Sequence, residues 1–186
     1  ELSDPSQNVS SAGISVRDVL MYQHLIGRPF KYGTTDCYDL LRCFYRDVFE
    51  IELPNFARPN DFWNQGIDLY NRLYHKAGFR PIDVHPSEYQ FGDVFLMAVR
   101  SPVSNHVGVL VENGELLHHL WGQRSSLTPY RGIWRNTTTG VFRHKDVKLP
   151  EAVQTQNIMD FLPANIRRKI DAALENPEGI EREIRL

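Results

Sequence analysis

Two cysteines and seven histidines among 186 residues are the side chains that could supply a nucleophile and a base. Cys37 follows Thr34-Thr35-Asp36, three good helix N-cap residues. Behind it Cys37, Leu40, Leu41, Phe44 and Val48 recur at helical spacing. A thiol attacks only as thiolate, and the first turn of a helix favours negative charge because its N–H groups are unpaired and carry the positive end of the dipole. This position predicts a Cys37 pKa lowered from about 8.5 toward about 6, which would raise the thiolate share at neutral pH from a few per cent to about 90 per cent. Cys43 falls mid-helix, where neither end of the dipole helps, and reads as a small apolar residue. An arbitrary cysteine reads that way too; what distinguishes Cys37 is its place at a helix start.

His106 opens the Val-rich stretch His106–Val111, and His118 and His119 lie on the next strand-like stretch. An isolated His at a strand end is usually inert. A helix-start Cys followed by a strand-borne His and two more on the adjoining strand allows a nucleophile, a base and a third group that orients the base. The rival chemistry is zinc held by His106, His118, His119 and a Cys. No H-x-x-x-H or C-x-x-C spacing and no adjacent carboxylate cluster supports it, so neither metal nor cofactor is expected. His24, His75, His85 and His144 read as surface or capping residues.

Hairpin register decides which His meets His106, because side chains alternate faces along a strand. Asn113-Gly114 is a strong turn signal. A two-residue turn pairs Glu112 with Glu115 and puts His106 on the face of His119 and Trp121. A three-residue loop, Glu112-Asn113-Gly114, pairs Gly108 with His118 and makes His106 and His118 diagonal neighbours. Like charges directly opposite each other are unfavourable, which favours the longer loop.

Other elements must position these groups. A helix fits Val16–Ile26, ended by Gly27 and Pro29; a second amphipathic helix fits Phe62–Ala77; strands fit Asp93–Val99, His106–Val111, Glu115–Trp121 and Gly140–Arg143. Residues 1–13 are polar and read as a flexible linker. Residues 155–186 read as helical and highly charged. The net charge of −2, with scattered Lys and Arg, argues against a nucleic-acid partner. No apolar run approaches the roughly 18 residues of a membrane helix. Cys37 and Cys43, about 240° apart on one helix, cannot bridge each other. The chain starts Glu1-Leu2-Ser3-Asp4-Pro5, without Met or a signal peptide, which fits a processed product or a fragment of a longer polypeptide.

Tyr32-Gly33, Asp36-Cys37-Tyr38, Gly92-Asp93-Val94, His106-Val107-Gly108-Val109 and Leu116-Leu117-His118, in that order, resemble the NlpC family of cell-wall cysteine peptidases over roughly residues 16–145. A closer resemblance is to the peptidase domain of the lambda-type phage tail tip protein K family. Its carriers are Asp36-Cys37-Tyr38-Asp39-Leu40, Leu53-Pro54-Asn55-Phe56, the Trp63–Tyr70 segment and Gly114-Glu115-Leu116-Leu117-His118-His119. The resemblance implies an α+β fold: a papain-like core with the nucleophile helix packed on an antiparallel β-sheet, spanning 14–147; residues 148–186 match no part of it, and their reading as a helical extension comes from their own composition. It implies Cys37 as nucleophile, His106 as base, His118 as the third residue, and Tyr32 and Asp36 in support, with Tyr32 beside the nucleophile as an aid to the oxyanion. Tyr38-Asp39 stands where cell-wall members carry Ser-Gly, and the loop from Tyr32 to Cys37 is short. The implied substrate is a peptidoglycan stem peptide, cut at a D-glutamyl–diaminopimelate bond from a phage tail tip during wall penetration. The implied partners are other tail-tip proteins, and the charge and sparse apolar content of 148–186 read as an arm that docks on them. The alternatives are a structural tail-tip subunit, or an amidase or acyltransferase on the same scaffold.

Overall fold

The computed structural model describes residues 21–148. The expected linker at 1–13, most of the helix expected over Val16–Ile26, and the extension beyond Lys148 lie outside the described residues. Of the first helix, Met21 and Tyr22 are helical and Gln23–Leu25 form a 3-10 turn.

Helix α1, Cys37–Phe49, starts where the cap residues placed it. Asp36 is extended and its side chain accepts the Asp39 amide, satisfying one of the first-turn donors that have no intrahelical partner. Leu40, Leu41 and Phe44 are buried on one stripe, and Glu50 in the left-handed conformation ends the helix.

The long helix expected over Phe62–Ala77 does not form. Asp61 and Gly66 take positive φ, and the Ile67 amide folds back to the Phe62 carbonyl. Only α2, Leu69–Leu73, and a 3-10 turn, Tyr74–Ala77, are helical. A left-handed Gly66 interrupts the ladder that the apolar spacing suggested.

Six strands form one antiparallel sheet among the described residues: β1 (Phe79–Pro81), β2 (Val94–Met97), β3 (His106–Leu110), β4 (Glu115–His118), β5 (Ser126–Pro129) and β6 (Thr138–His144). Their spatial order is β1-β6-β2-β3-β4-β5. Sequence patterning does not indicate β1, β5 or the short helix α3, Ile133–Thr137, because each is too brief to show a period. β4 stops at His118 rather than Trp121, since Leu120–Gln123 turns with Gly122 at positive φ.

Both faces of the sheet are covered. Val107, Val109 and Leu117 join Leu40, Leu41 and Phe44 beneath α1. On the other face Leu110 and Leu116 pack with Phe95, Met97 and Val141, against Tyr89, Tyr130 and Trp134. This two-sided burial explains why β2 and β3 read as continuous apolar runs rather than strict alternations. His144, expected as a surface or capping residue, is buried, edge-on to Phe79, with its Nδ1 accepting the Asp146 amide.

Candidate active site

Cys37 stands at the first position of α1, at the end of the helix that meets the start of β3. The residue before it is locked. Asp36 Oδ2 accepts the Gly33 amide and the Arg58 Nε–H, each at 2.8 Å, and Oδ1 accepts the Asp39 amide at 3.0 Å. Both partners of the Asp36–Arg58 ion pair are 3 % exposed. Arg58 also reaches the carbonyls of Gly33 and Phe56, so it staples the segment before Cys37 to the loop after α1. Nothing local in the sequence marked Arg58; its role arises from a pairing 22 positions away.

The hairpin loop is the three-residue one. Gly108 pairs with His118, Val109 with Leu117 and Leu110 with Leu116, with Asn113 and Gly114 both at positive φ. His106 and His118 therefore share a face, and His106 Nε2 lies 2.9 Å from His118 Nδ1. Gly108 sits between them in the chain, where an added Cβ would come within 3.3 Å of both His118 Cβ and Met97 Cε. His118 Nε2 lies 2.9 Å from Thr128 Oγ1 on β5, and Trp134 covers the His118 ring edge-on. His119 lies past the end of β4, edge-on to Phe30, with Nε2 3.1 Å from the Gln123 carbonyl oxygen.

One cleft of about 250 Å³ is lined by Cys37, His106, Asp36, Tyr70, His119 and Asn105. Its aromatic wall is Phe30, Tyr32, Trp63 and Trp121, with Trp121 56 % exposed at the rim. Tyr32 lines the cleft, but its hydroxyl donates to the Pro59 carbonyl at 2.8 Å. The side chain bonded to the thiol is Tyr70, whose hydroxyl lies 3.5 Å from Cys37 Sγ. Sequence reasoning took Tyr70 only as part of the amphipathic helix expected over Phe62–Ala77 and missed this, because the pairing spans 33 residues and the ring is buried like any core aromatic.

The charge states differ from the expectation of a lowered thiol pKa. Burial pushes the Cys37 thiol up to about 11, with the Asp36 carboxylate adding; the Tyr70 hydroxyl, the Val107 amide and Arg58 only partly oppose this. Desolvation outweighs the helix start, because a buried thiolate loses its hydration. Burial also drives His106 well below the ordinary His range, and His118 down to about 4. At neutral pH the resting site is a neutral thiol beside two neutral imidazoles. Among the described residues His106 makes no hydrogen bond to the thiol; its Nε2 faces His118, which leaves Nδ1 as the nitrogen free for other work. Among the described residues no group of three or more His, Cys, Asp or Glu side chains is placed to hold a metal ion.

The model of the NlpC/P60 family matches residues 27–143. The chain belongs to the NlpC/P60 family. Its α+β architecture is the papain-like core of that family, with a helix bearing a cysteine at its start packed on an antiparallel sheet. Among curated relatives, the tail tip assembly protein K of Escherichia phage N15 is 36% identical over 130 residues, covering 69% of this chain and 52% of that protein. The tail tip assembly protein K of Escherichia phage lambda is 38% identical over 122 residues, covering 66% of this chain and 60% of that protein. The chain thus spans between half and two thirds of the length of these relatives. An NlpC/P60 family protein from Bacillus cereus superposes with a TM-score of 0.48 at 16% identity, covering 72% of this chain and 39% of that one.

Proposed function

We propose that this NlpC/P60 chain is a cysteine peptidase of a phage tail tip that hydrolyses a peptide bond in peptidoglycan stem peptides. The observation that carries the reading is the shared cleft: a helix-start thiol and an imidazole already oriented by a second imidazole line one cavity. For His106 Nδ1 to act as base, its Nε2–H must donate to His118 Nδ1 and the His118 Nε2–H must donate to Thr128 Oγ1. As Cys37 Sγ attacks the carbonyl carbon, its proton passes to His106 Nδ1 and the carbonyl π pair moves to oxygen. In this reading the first-turn amides of α1 receive that oxyanion. Collapse breaks the C–N bond, and the His106 imidazolium protonates the leaving amine. Water then gives a proton to His106 and attacks the thioester, and the sulfur departs and takes the proton back. With the thiol pKa near 11, proton transfer belongs to the attack itself rather than to the resting enzyme.

The tail-tip setting rests on the names of the N15 and lambda relatives. In this reading the activity sits on the virion and opens the wall locally, with cleavage at a D-glutamyl–diaminopimelate bond. Residues 148–186 are proposed as the arm that docks on other tail-tip proteins. Deleting 148–186 is expected to leave the cooperative thermal transition of the remainder intact but to weaken co-purification with tail-tip components; loss of that transition would put the segment in the core. A second reading has one observation in its favour: the thiol is buried and bonded to Tyr70 rather than to His106. In that reading the chain is a structural tail-tip subunit with an idle site. Digestion of purified peptidoglycan, with products identified by mass, separates the two. The peptidase reading expects new stem-peptide ends from the wild type and none from Cys37→Ser, which keeps the wild-type melting temperature. Wild-type protein that leaves the muropeptides uncut establishes the structural reading, and an active Cys37→Ser protein refutes the mechanism.

A further inference from the structure

The Cys37 sulfur meets a phenol that no sequence motif assigns. Tyr70 comes from α2, beyond the Pro-bearing loop, and its hydroxyl lies 3.5 Å from Sγ. Its ring is wedged between Tyr38 and Phe62, at centroid distances of 6.2 and 5.7 Å, so the hydroxyl is aimed by packing rather than by a flexible stem. Tyr70 also lines the cleft beside Cys37. Tyr32, the other tyrosine of the cleft, has its hydroxyl committed to Pro59.

The surroundings give that hydroxyl a task. Asp36, directly before the nucleophile, raises the cost of a second negative charge, and Arg58 is already bound to Asp36. A sulfur that must become anionic during attack therefore needs a neutral donor that can form a hydrogen bond to it, and a tyrosine O–H is one. Beside the backbone amide of Val107, two other polar side chains of the cleft are committed elsewhere: Asn105 is spent on both backbone groups of Val99, and His119 Nε2 faces Gln123.

We propose that Tyr70 is a catalytic residue of this site: its hydroxyl donates a hydrogen bond to Cys37 Sγ as the sulfur loses its proton to His106. No proton leaves Tyr70. The O–H···S bond forms or strengthens while the S–H bond breaks and the His106 N–H bond forms. The inference rests on the reading of Cys37 as nucleophile. Desolvation keeps the phenol itself protonated, with its pKa well above the ordinary value, so at working pH it can only donate or accept, never ionise.

The test uses the full chain with Cys43→Ser, so that one thiol reports. Below its pKa a thiol alkylates at a rate set by its thiolate population, weighted by a nucleophilicity that falls as pKa falls. A hydrogen bond to a charged group corresponds to about one pKa unit or more. Tyr70→Phe, which keeps the ring, is therefore expected to slow iodoacetamide alkylation of Cys37 at pH 8 about fivefold after the nucleophilicity offset. The same variant is expected to lower kcat on muropeptides about tenfold with little change in KM. Replacing Tyr70 by 3-fluorotyrosine, a stronger donor of nearly the same shape, should speed alkylation. Should Tyr70→Phe fail to fold, the fluorotyrosine variant carries the test. Alkylation unchanged in every variant that folds overturns the proposal while leaving Cys37 as nucleophile. Failure of the parent reading looks different: Cys37→Ser would retain hydrolysis, whatever Tyr70 does to the alkylation rate.

Discussion

Replacing His118 with Asn should change how stability depends on pH more than stability at neutral pH. His118 is 2 % exposed, and burial lowers its pKa to about 4 from an ordinary value of 6.5. The sign follows from which state binds the proton. Above pH 6.5 the imidazole is neutral in both states and contributes no pH dependence. Between 6.5 and about 4 the unfolded chain takes up a proton that the folded protein refuses, so stability falls as pH falls. At about 1.36 kcal/mol per pKa unit, that window amounts to roughly 3 kcal/mol from His118 alone. His106, also driven low by burial, adds in the same direction. An Asn amide can still accept from His106 and donate to Thr128, so His118→Asn removes the titration while keeping most of the hydrogen bonding. Urea unfolding of both proteins at pH 7, 5.5 and 4 measures the difference. Wild type should lose roughly 3 kcal/mol more than His118→Asn between pH 7 and 4. Parallel pH dependences would show that His118 titrates alike in both states, and would refute the picture of a neutral imidazole pair held by burial.

Arg58→Ala should lower stability by about 3–5 kcal/mol, read by urea unfolding, because it leaves the buried Asp36 carboxylate without its cation. The same variant should weaken hydrolysis, since Asp36 anchors the turn that presents Cys37. Thr128→Val should lower kcat about fivefold by removing the group that receives the His118 Nε2–H, and Thr128→Ser should restore it to about wild type. Equal losses in Val and Ser would assign Thr128 a packing role instead.

The start of α1 was legible in local sequence, because a cap residue and an apolar stripe act within a few positions. The strands β2, β3 and β4 were legible for the same reason, apart from their ends. The hairpin register could be argued from the repulsion of Glu112 and Glu115, and the observed loop puts His118 beside His106 as that argument preferred. Short elements escaped: β5 supplies Thr128 and α3 supplies Trp134 against His118, yet four or five residues show no period.

What the sequence by itself determined is where Cys37, His106 and His118 fall on helix and strands, because cap, strand and turn preferences are local and each places one side chain. Tertiary structure decided how those groups behave. The Cys37 pKa rises rather than falls, since burial beneath Tyr70 and beside Asp36 is a property of packing that helix position cannot report. Arg58 reaches Asp36 across 22 residues of chain and Tyr70 reaches Cys37 across 33, and only the folded chain brings them there. Desolvation depends on how much surface every neighbour removes from water, and a linear sequence carries no count of those neighbours.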